Sequence, residues 1–117
     1  MHHLKLARLA FVLAVALVAV SCGSSSTAPS STIADLSVTS TVVNAHSHTV
    51  NVSSSDQIHP ADTTYTTSST LNHTHTVTLT AAQLTSIAAG GTVTVTSSAS
   101  AVTGNHTHDF TFQGKKQ

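Results

Sequence analysis

The 117-residue chain has one cysteine, no tryptophan and no glutamate, and its single arginine, Arg8, lies in the first ten residues. A lone cysteine excludes an internal disulfide. Between Cys22 and Gly114 the only basic side chains are histidines. Nucleic acid is therefore excluded as an expected partner, because phosphate binding needs Lys and Arg. Beyond Phe11 the aromatics are Tyr65, Phe110 and Phe112. That supply is thin, and a domain of this size with few large apolar side chains is marginal without a staple. The four acidic residues, Asp35, Asp56, Asp62 and Asp109, are scattered, and no Gly-x-Ser-x-Gly elbow is present. Nothing outside the histidines has the look of an activated group, so an enzyme is not expected.

Serine and threonine, by contrast, make up about a third of the chain. Their alternation with valine has a period of two, and both Thr and Val are strand formers. The pattern predicts a mostly β domain over residues 34–114, a small antiparallel sandwich or barrel with one short helix. Expected strands run over Asp35–Val43, His46–Val52, Thr63–Ser69, His73–Thr80, Thr92–Ser98 and His106–Phe112, and Ser53–Asp62 reads as a connection. Thr80-Ala81-Ala82-Gln83 matches a capping box, Leu84 and Ile87 share a helical face, and Gly90-Gly91 supplies a stop. A helix is expected over Ala81–Ala89. The order of motifs repeats with a unit near thirty residues, as duplicated hairpin-like units.

Three His-x-His motifs organise this pattern: His46-Ser47-His48, His73-Thr74-His75 and His106-Thr107-His108. Each precedes an alternating apolar stretch, and residues two apart on a strand share a face. The six imidazoles therefore face the side that carries Val50, Val52, Val77, Leu79, Phe110 and Phe112. Neutral imidazole is the commonest protein metal ligand. All six are candidate ligands for a transition metal ion, with Cu, Zn, Ni and Fe open, and raw affinity favours Cu(II). The competing reading makes them strand-end histidines bonded to neighbouring Thr hydroxyls. Asp109 has the opposite parity and reads as an outer partner or exposed charge. His59, before Pro60, reads as a surface residue. Ser47, Thr74 and Thr107 read as spacers.

The leader has its own grammar. Lys5 and Arg8 form a short basic region, and Leu9–Val20 is an unbroken apolar run of signal-peptide length. Ala19-Val20-Ser21-Cys22 resembles the lipobox of bacterial lipoproteins. The resemblance implies a signal peptide over 1–21, cleavage before Cys22 and lipidation of Cys22. Gly23 after the cysteine implies, by the same resemblance, an outer membrane. Residues 22–33 are Ser-rich and uncharged, a flexible tether. The expected partners are thus a membrane, through the lipid anchor, and a metal ion.

Two functions follow as expectations. One is a lipid-anchored envelope protein that binds a transition metal for sequestration, tolerance or delivery. The other is a structural or adhesive β-domain in which the histidines, or a bound metal, stabilise the fold. For the second, the motif alone is similar to phage tail-fibre tips, where His-x-His pairs from three chains bind iron. A likeness to copper-zinc superoxide dismutases stops at His-x-His on a strand, since the disulfide pair and the metal-binding aspartate spacing are missing.

Overall fold

The computed structural model describes residues 32–116. The expected signal peptide, Cys22 and most of the expected tether lie outside the described residues. Six strands and two helices follow one another as β1 (Leu36–Thr39), β2 (Thr49–Val52), α1 (Ser54–Ile58), β3 (Thr63–Thr66), β4 (Thr76–Leu79), α2 (Ala81–Ala88), β5 (Thr92–Thr96) and β6 (Asp109–Gln113). The fold is mostly β and antiparallel, as the period-two pattern predicts. The strands pair two by two: β1 with β2, β3 with β4, β5 with β6.

Main-chain and hydroxyl bonds then close the three hairpins into a ring. The Ser68 N–H donates to the Thr49 carbonyl at 2.8 Å, and the Thr49 N–H donates to the Ser68 hydroxyl at 2.9 Å. Ser98 and Thr76 repeat both bonds at 2.8 and 2.9 Å. Thr41 and Asp109 complete the circle at 2.9 and 3.1 Å. Each hairpin thus grips the next, and the third grips the first. A two-stranded hairpin alone is marginal in water, so the ring is the folding unit.

The core lies inside this ring in layers of equivalent residues. Val50, Val77 and Phe110 form one layer, and Val52, Leu79 and Phe112 form the next; all six are at most 1 % exposed. Leu84 and Ile87 of α2 close the far end. Each such side chain contributes about 1.5–3 kcal/mol on burial. The outward positions between them, among them Thr64, Thr78, Thr94 and Thr111, are exposed and pair across the strands through their hydroxyls. This is the alternation of Val and Thr made physical.

The helices sit where two of the three repeat units leave the sheet. Helix α2 has the expected capping box: Thr80 Oγ1 accepts from the Gln83 N–H, and Gln83 Oε1 accepts from the Thr80 N–H at 2.8 Å. Gly90, at φ +86°, takes the left-handed conformation after the helix. Helix α1 corrects the reading of Ser53–Asp62 as a plain connection. Its five residues are too few to show a period, and Ser and Asp are poor helix formers. Its start is nonetheless marked by the Ser53 hydroxyl, which accepts from the Asp56 N–H. Asp35 and Asp62 perform one task in the two units: Asp35 accepts from the Ser54 N–H at 2.7 Å, and Asp62 accepts from the Ala81 N–H at 2.8 Å. Tyr65 fastens α1 to β3 by donating to Asp56 at 3.0 Å. At the equivalent place after β6, Gly114 approaches the Ile87 carbonyl so closely that a Cβ would collide with it.

Candidate metal centre

The His-x-His motifs lie just ahead of β2, β4 and β6 rather than within them. His46, His73 and His106 form isolated bridges with Val43, Thr70 and Ser100, across the turns that join the strands of each hairpin. The first two turns are two-residue, Asn44-Ala45 and Leu71-Asn72, with positive φ at both residues. This is the type I′ signature whose twist matches a hairpin. The third turn is longer and carries Thr103 and Gly104 in the left-handed region. The extended stretch between each turn and its strand preserves the expected parity. All six histidines are buried on the core side, two further layers on top of the apolar ones.

The six rings converge on one point. Of their fifteen possible pairs, twelve meet edge to face with centroids 4.8–5.2 Å apart. The other three pairs are His46 with His75, His48 with His106, and His73 with His108. Twelve adjacent and three opposite pairs are the edges and diagonals of an octahedron. The outer Nε2 atoms, of His46, His73 and His106, form one face, a triangle with sides of 3.1–3.2 Å. The edges from His48 to His73 and from His108 to His46 are 3.3 Å. The ligand nitrogens of the opposite pair His46 and His75 lie within 4.8 Å of each other. In a regular octahedron with an edge of about 3.2 Å, division by √2 would put the centre about 2.3 Å from each nitrogen, slightly beyond the 2.0–2.1 Å of a Zn–N bond.

The protonation of these rings follows from their other nitrogens. His48 Nδ1 lies 2.7 Å from the Ser68 carbonyl, His75 Nδ1 2.7 Å from that of Ser98, and His108 Nδ1 2.9 Å from that of Thr41. His46, His73 and His106 place Nδ1 at 3.2, 3.3 and 2.6 Å from the carbonyls of Asn44, Leu71 and Gly104. A carbonyl only accepts, so in every ring Nδ1 carries the proton. A neutral imidazole has one proton, and all six Nε2 atoms therefore present lone pairs to the centre. Their 3.1–3.3 Å contacts are between acceptors with no proton to share. His75 Nε2 is fully buried and has no partner at all. Burial pushes the pKa of His48 and of His75 down from 6.5, with the surrounding histidines adding to the effect, and the bonds to Ser68 and Ser98 oppose it. Protonation of these two rings is therefore a poor remedy for the repulsion. A cation at the centre satisfies six lone pairs at once, and the buried cluster can hold a metal ion.

For the imidazole rings, a reading as partners of Thr hydroxyls is not what the geometry favours. Thr67 Oγ1 is 3.4 Å from His48 Nδ1, against 2.7 Å for the Ser68 carbonyl. Asp109 is exposed and accepts from Thr96 Oγ1, away from the cluster. His59 is exposed at the end of α1 and also stands apart. Thr74 and Thr107 are exposed spacers, and Ser47 uses its carbonyl to accept from Thr70 Oγ1. The sequence reading missed the supporting residues Ser40, Thr67 and Ser97. Their buried hydroxyls accept from the backbone N–H of His48, His75 and His108 at 3.0, 2.9 and 3.0 Å. Their signal was positional: Ser40 and Thr67 each stand eight residues before the second histidine of a motif. In a chain so rich in Ser and Thr, that spacing is lost in the background. No protein-family model, curated protein or solved structure matches the chain.

Proposed function

We propose that the protein is a cell-envelope lipoprotein whose β-domain is pinned by one transition metal ion on His46, His48, His73, His75, His106 and His108. The observation that carries this reading is the set of six Nδ1–carbonyl bonds, which aims six lone pairs at one point. Ligands fixed in tautomer and orientation by main-chain carbonyls are the usual supporting shell of a metal histidine. Six nitrogens fill an octahedron and leave no position for a substrate, which favours a structural role over catalysis. The ligands come from all three hairpins, so one ion cross-links the whole ring, and its binding energy becomes folding energy. Sequestration or delivery would ask for easier exchange than six buried ligands provide.

The envelope location rests on the order of Lys5, Arg8, Leu9–Val20 and Ser21-Cys22. Among the described residues no helix is long and apolar enough to cross a membrane. The anchor would be the lipid on Cys22, and the Ser-rich tether would hold the domain off the surface. Metal analysis of the purified chain is expected to find about one equivalent, and chelation to lower its thermal midpoint. No ion bound tighter than millimolar would refute the metal reading. Equal detergent partitioning of wild type and Cys22→Ala would refute the anchor.

A further inference from the structure

Affinity order alone would give a nitrogen site to copper, because Cu(II) binds most tightly of the divalent first-row ions. The geometry of this cage opposes that order. We infer that the site selects a borderline divalent ion that accepts a regular octahedron, namely Fe(II), Co(II) or Ni(II), over both Cu(II) and Zn(II). The inference rests on the proposed metal reading and goes beyond it to the class of ion.

Three observations carry it. First, the octahedron is regular. The twelve adjacent ring pairs span only 4.8–5.2 Å between centroids, and the five close Nε2 contacts, three within the outer triad and two from it to His48 and His108, span 3.1–3.3 Å. Cu(II) prefers a tetragonal field, so two opposite nitrogens would have to retreat. Each ring is held from behind by its Nδ1–carbonyl bond, and the three inner rings are 1 % exposed. A retreat along any diagonal presses a ring into the backbone that orients it.

Second, the ligands cannot be reduced in number. Zinc in a structural site takes four ligands in a tetrahedron. Four of these six histidines around zinc would leave two buried Nε2 lone pairs with nothing to accept from. The rings cannot turn to find another donor, since their Nδ1 protons are committed to carbonyls.

Third, the donors are all nitrogen. Hard ions such as Mg(II), Ca(II) and Mn(II) prefer carboxylate and carbonyl oxygen. The four aspartates are engaged elsewhere, by the Ser54 N–H, the Tyr65 hydroxyl, the Ala81 N–H and the Thr96 hydroxyl. The threefold repetition imposes the regularity: each unit contributes one turn-borne and one strand-side ring in the same pose.

The test uses the full chain, stripped by a chelator without oxygen and reloaded with one ion or with equimolar pairs. The thermal midpoint is the main readout, because an ion bound by His2, His3 or Cys22, outside the described residues, would not hold the hairpins together. Fe(II), Co(II) and Ni(II) should each raise the midpoint more than Zn(II) or Cu(II), and Ni(II) should displace Zn(II) with a preference of about tenfold or more. Bound Co(II) should show the weak visible bands of six-coordination rather than the intense bands of a tetrahedral site. A larger shift with Cu(II) or Zn(II), or an intense tetrahedral Co(II) spectrum, would overturn the selectivity while leaving the metal site standing. No shift with any of the five ions would overturn the metal reading and the selectivity together. His75→Ala, which removes one ligand, should abolish the preference for Ni(II) over Zn(II).

Discussion

The two triads of the cluster are held in different ways. His46, His73 and His106, the outer triad, sit on turns, and each places Nδ1 on a carbonyl two residues back in its own turn. His48, His75 and His108, the inner triad, place Nδ1 on a carbonyl of the neighbouring hairpin. The outer rings are 6–8 % exposed and the inner ones 1 %. A hairpin on its own can orient an outer ring, whereas no inner ring has its acceptor until the ring of hairpins has closed. The outer triad thus belongs to local structure and the inner triad to assembly. Each inner histidine is both a candidate ligand and a rivet between units.

The strongest way to break this difference is to remove one ring from each triad. His75→Ala is expected to destabilise the metal-free domain by about 3 kcal/mol, through a buried cavity and the lost bond to Ser98. His73→Ala should cost about 1 kcal/mol in the same metal-free state, since it loses a local bond at the edge. Chemical denaturation of the two chelated variants measures both. Equal losses would erase the distinction between local and assembly roles.

Acid sharpens the same contrast. The folded chain holds His48 and His75 below their ordinary pKa of 6.5, chiefly by burial. The unfolded chain therefore takes up protons first as pH falls. This contribution to stability is complete above about pH 6.5 and is lost progressively below it. Metal binding falls over the same range, because protons compete for Nε2. Denaturation midpoints between pH 8 and 5, with and without chelator, should decline below 6.5 in both states and more steeply with metal bound. A metal-free midpoint that rises on acidification would contradict the burial argument.

Ser40→Ala perturbs the inner triad without removing a histidine, since the Ser40 hydroxyl also lies 3.2 Å from His108 Nδ1. It leaves the buried His48 N–H without its 3.0 Å hydroxyl partner, at a cost of about 1–2 kcal/mol. The neighbouring Ser37→Ala, on an exposed strand position, should cost less than 0.5 kcal/mol. Thermal midpoints of the pair would separate a supporting hydroxyl from one of the many surface ones.

That comparison also explains what could be read from the chain and what could not. The clustering of the six histidines was legible because each pair shares parity with the apolar residues that follow it, and parity survives even where the stretch is not a formal strand. Helix α2 was legible from Thr80, Gln83 and Gly90. Helix α1 was not, because Ser54–Ile58 is shorter than the window in which a helical period shows. The ring closure was also hidden. It depends on Thr41, Ser68 and Ser98 bonding across units, and nothing local distinguishes these hydroxyls from their exposed neighbours. The inner triad shares this fate, for its carbonyl acceptors are defined only by the assembled fold.

A small effect of the opposite sign is expected at the outer triad's turns. Ala45 holds φ +62°, a left-handed conformation that disfavours any side chain with a Cβ by about 1–2 kcal/mol. Glycine removes that penalty but gives the unfolded chain more freedom, worth about 0.4–1 kcal/mol in the opposite direction. Ala45→Gly should therefore stabilise the metal-free domain by about 0.5 kcal/mol, or about 2–4 °C in midpoint. Because the exposed Ala45 side chain bonds no ligand, and the acceptor for His46 Nδ1 is the Asn44 carbonyl, the order of preference among metal ions should not change. A midpoint lowered by Ala45→Gly would show that the turn is held by something other than local strain and hydrogen bonding. The outer histidines would then depend on assembly as the inner ones do.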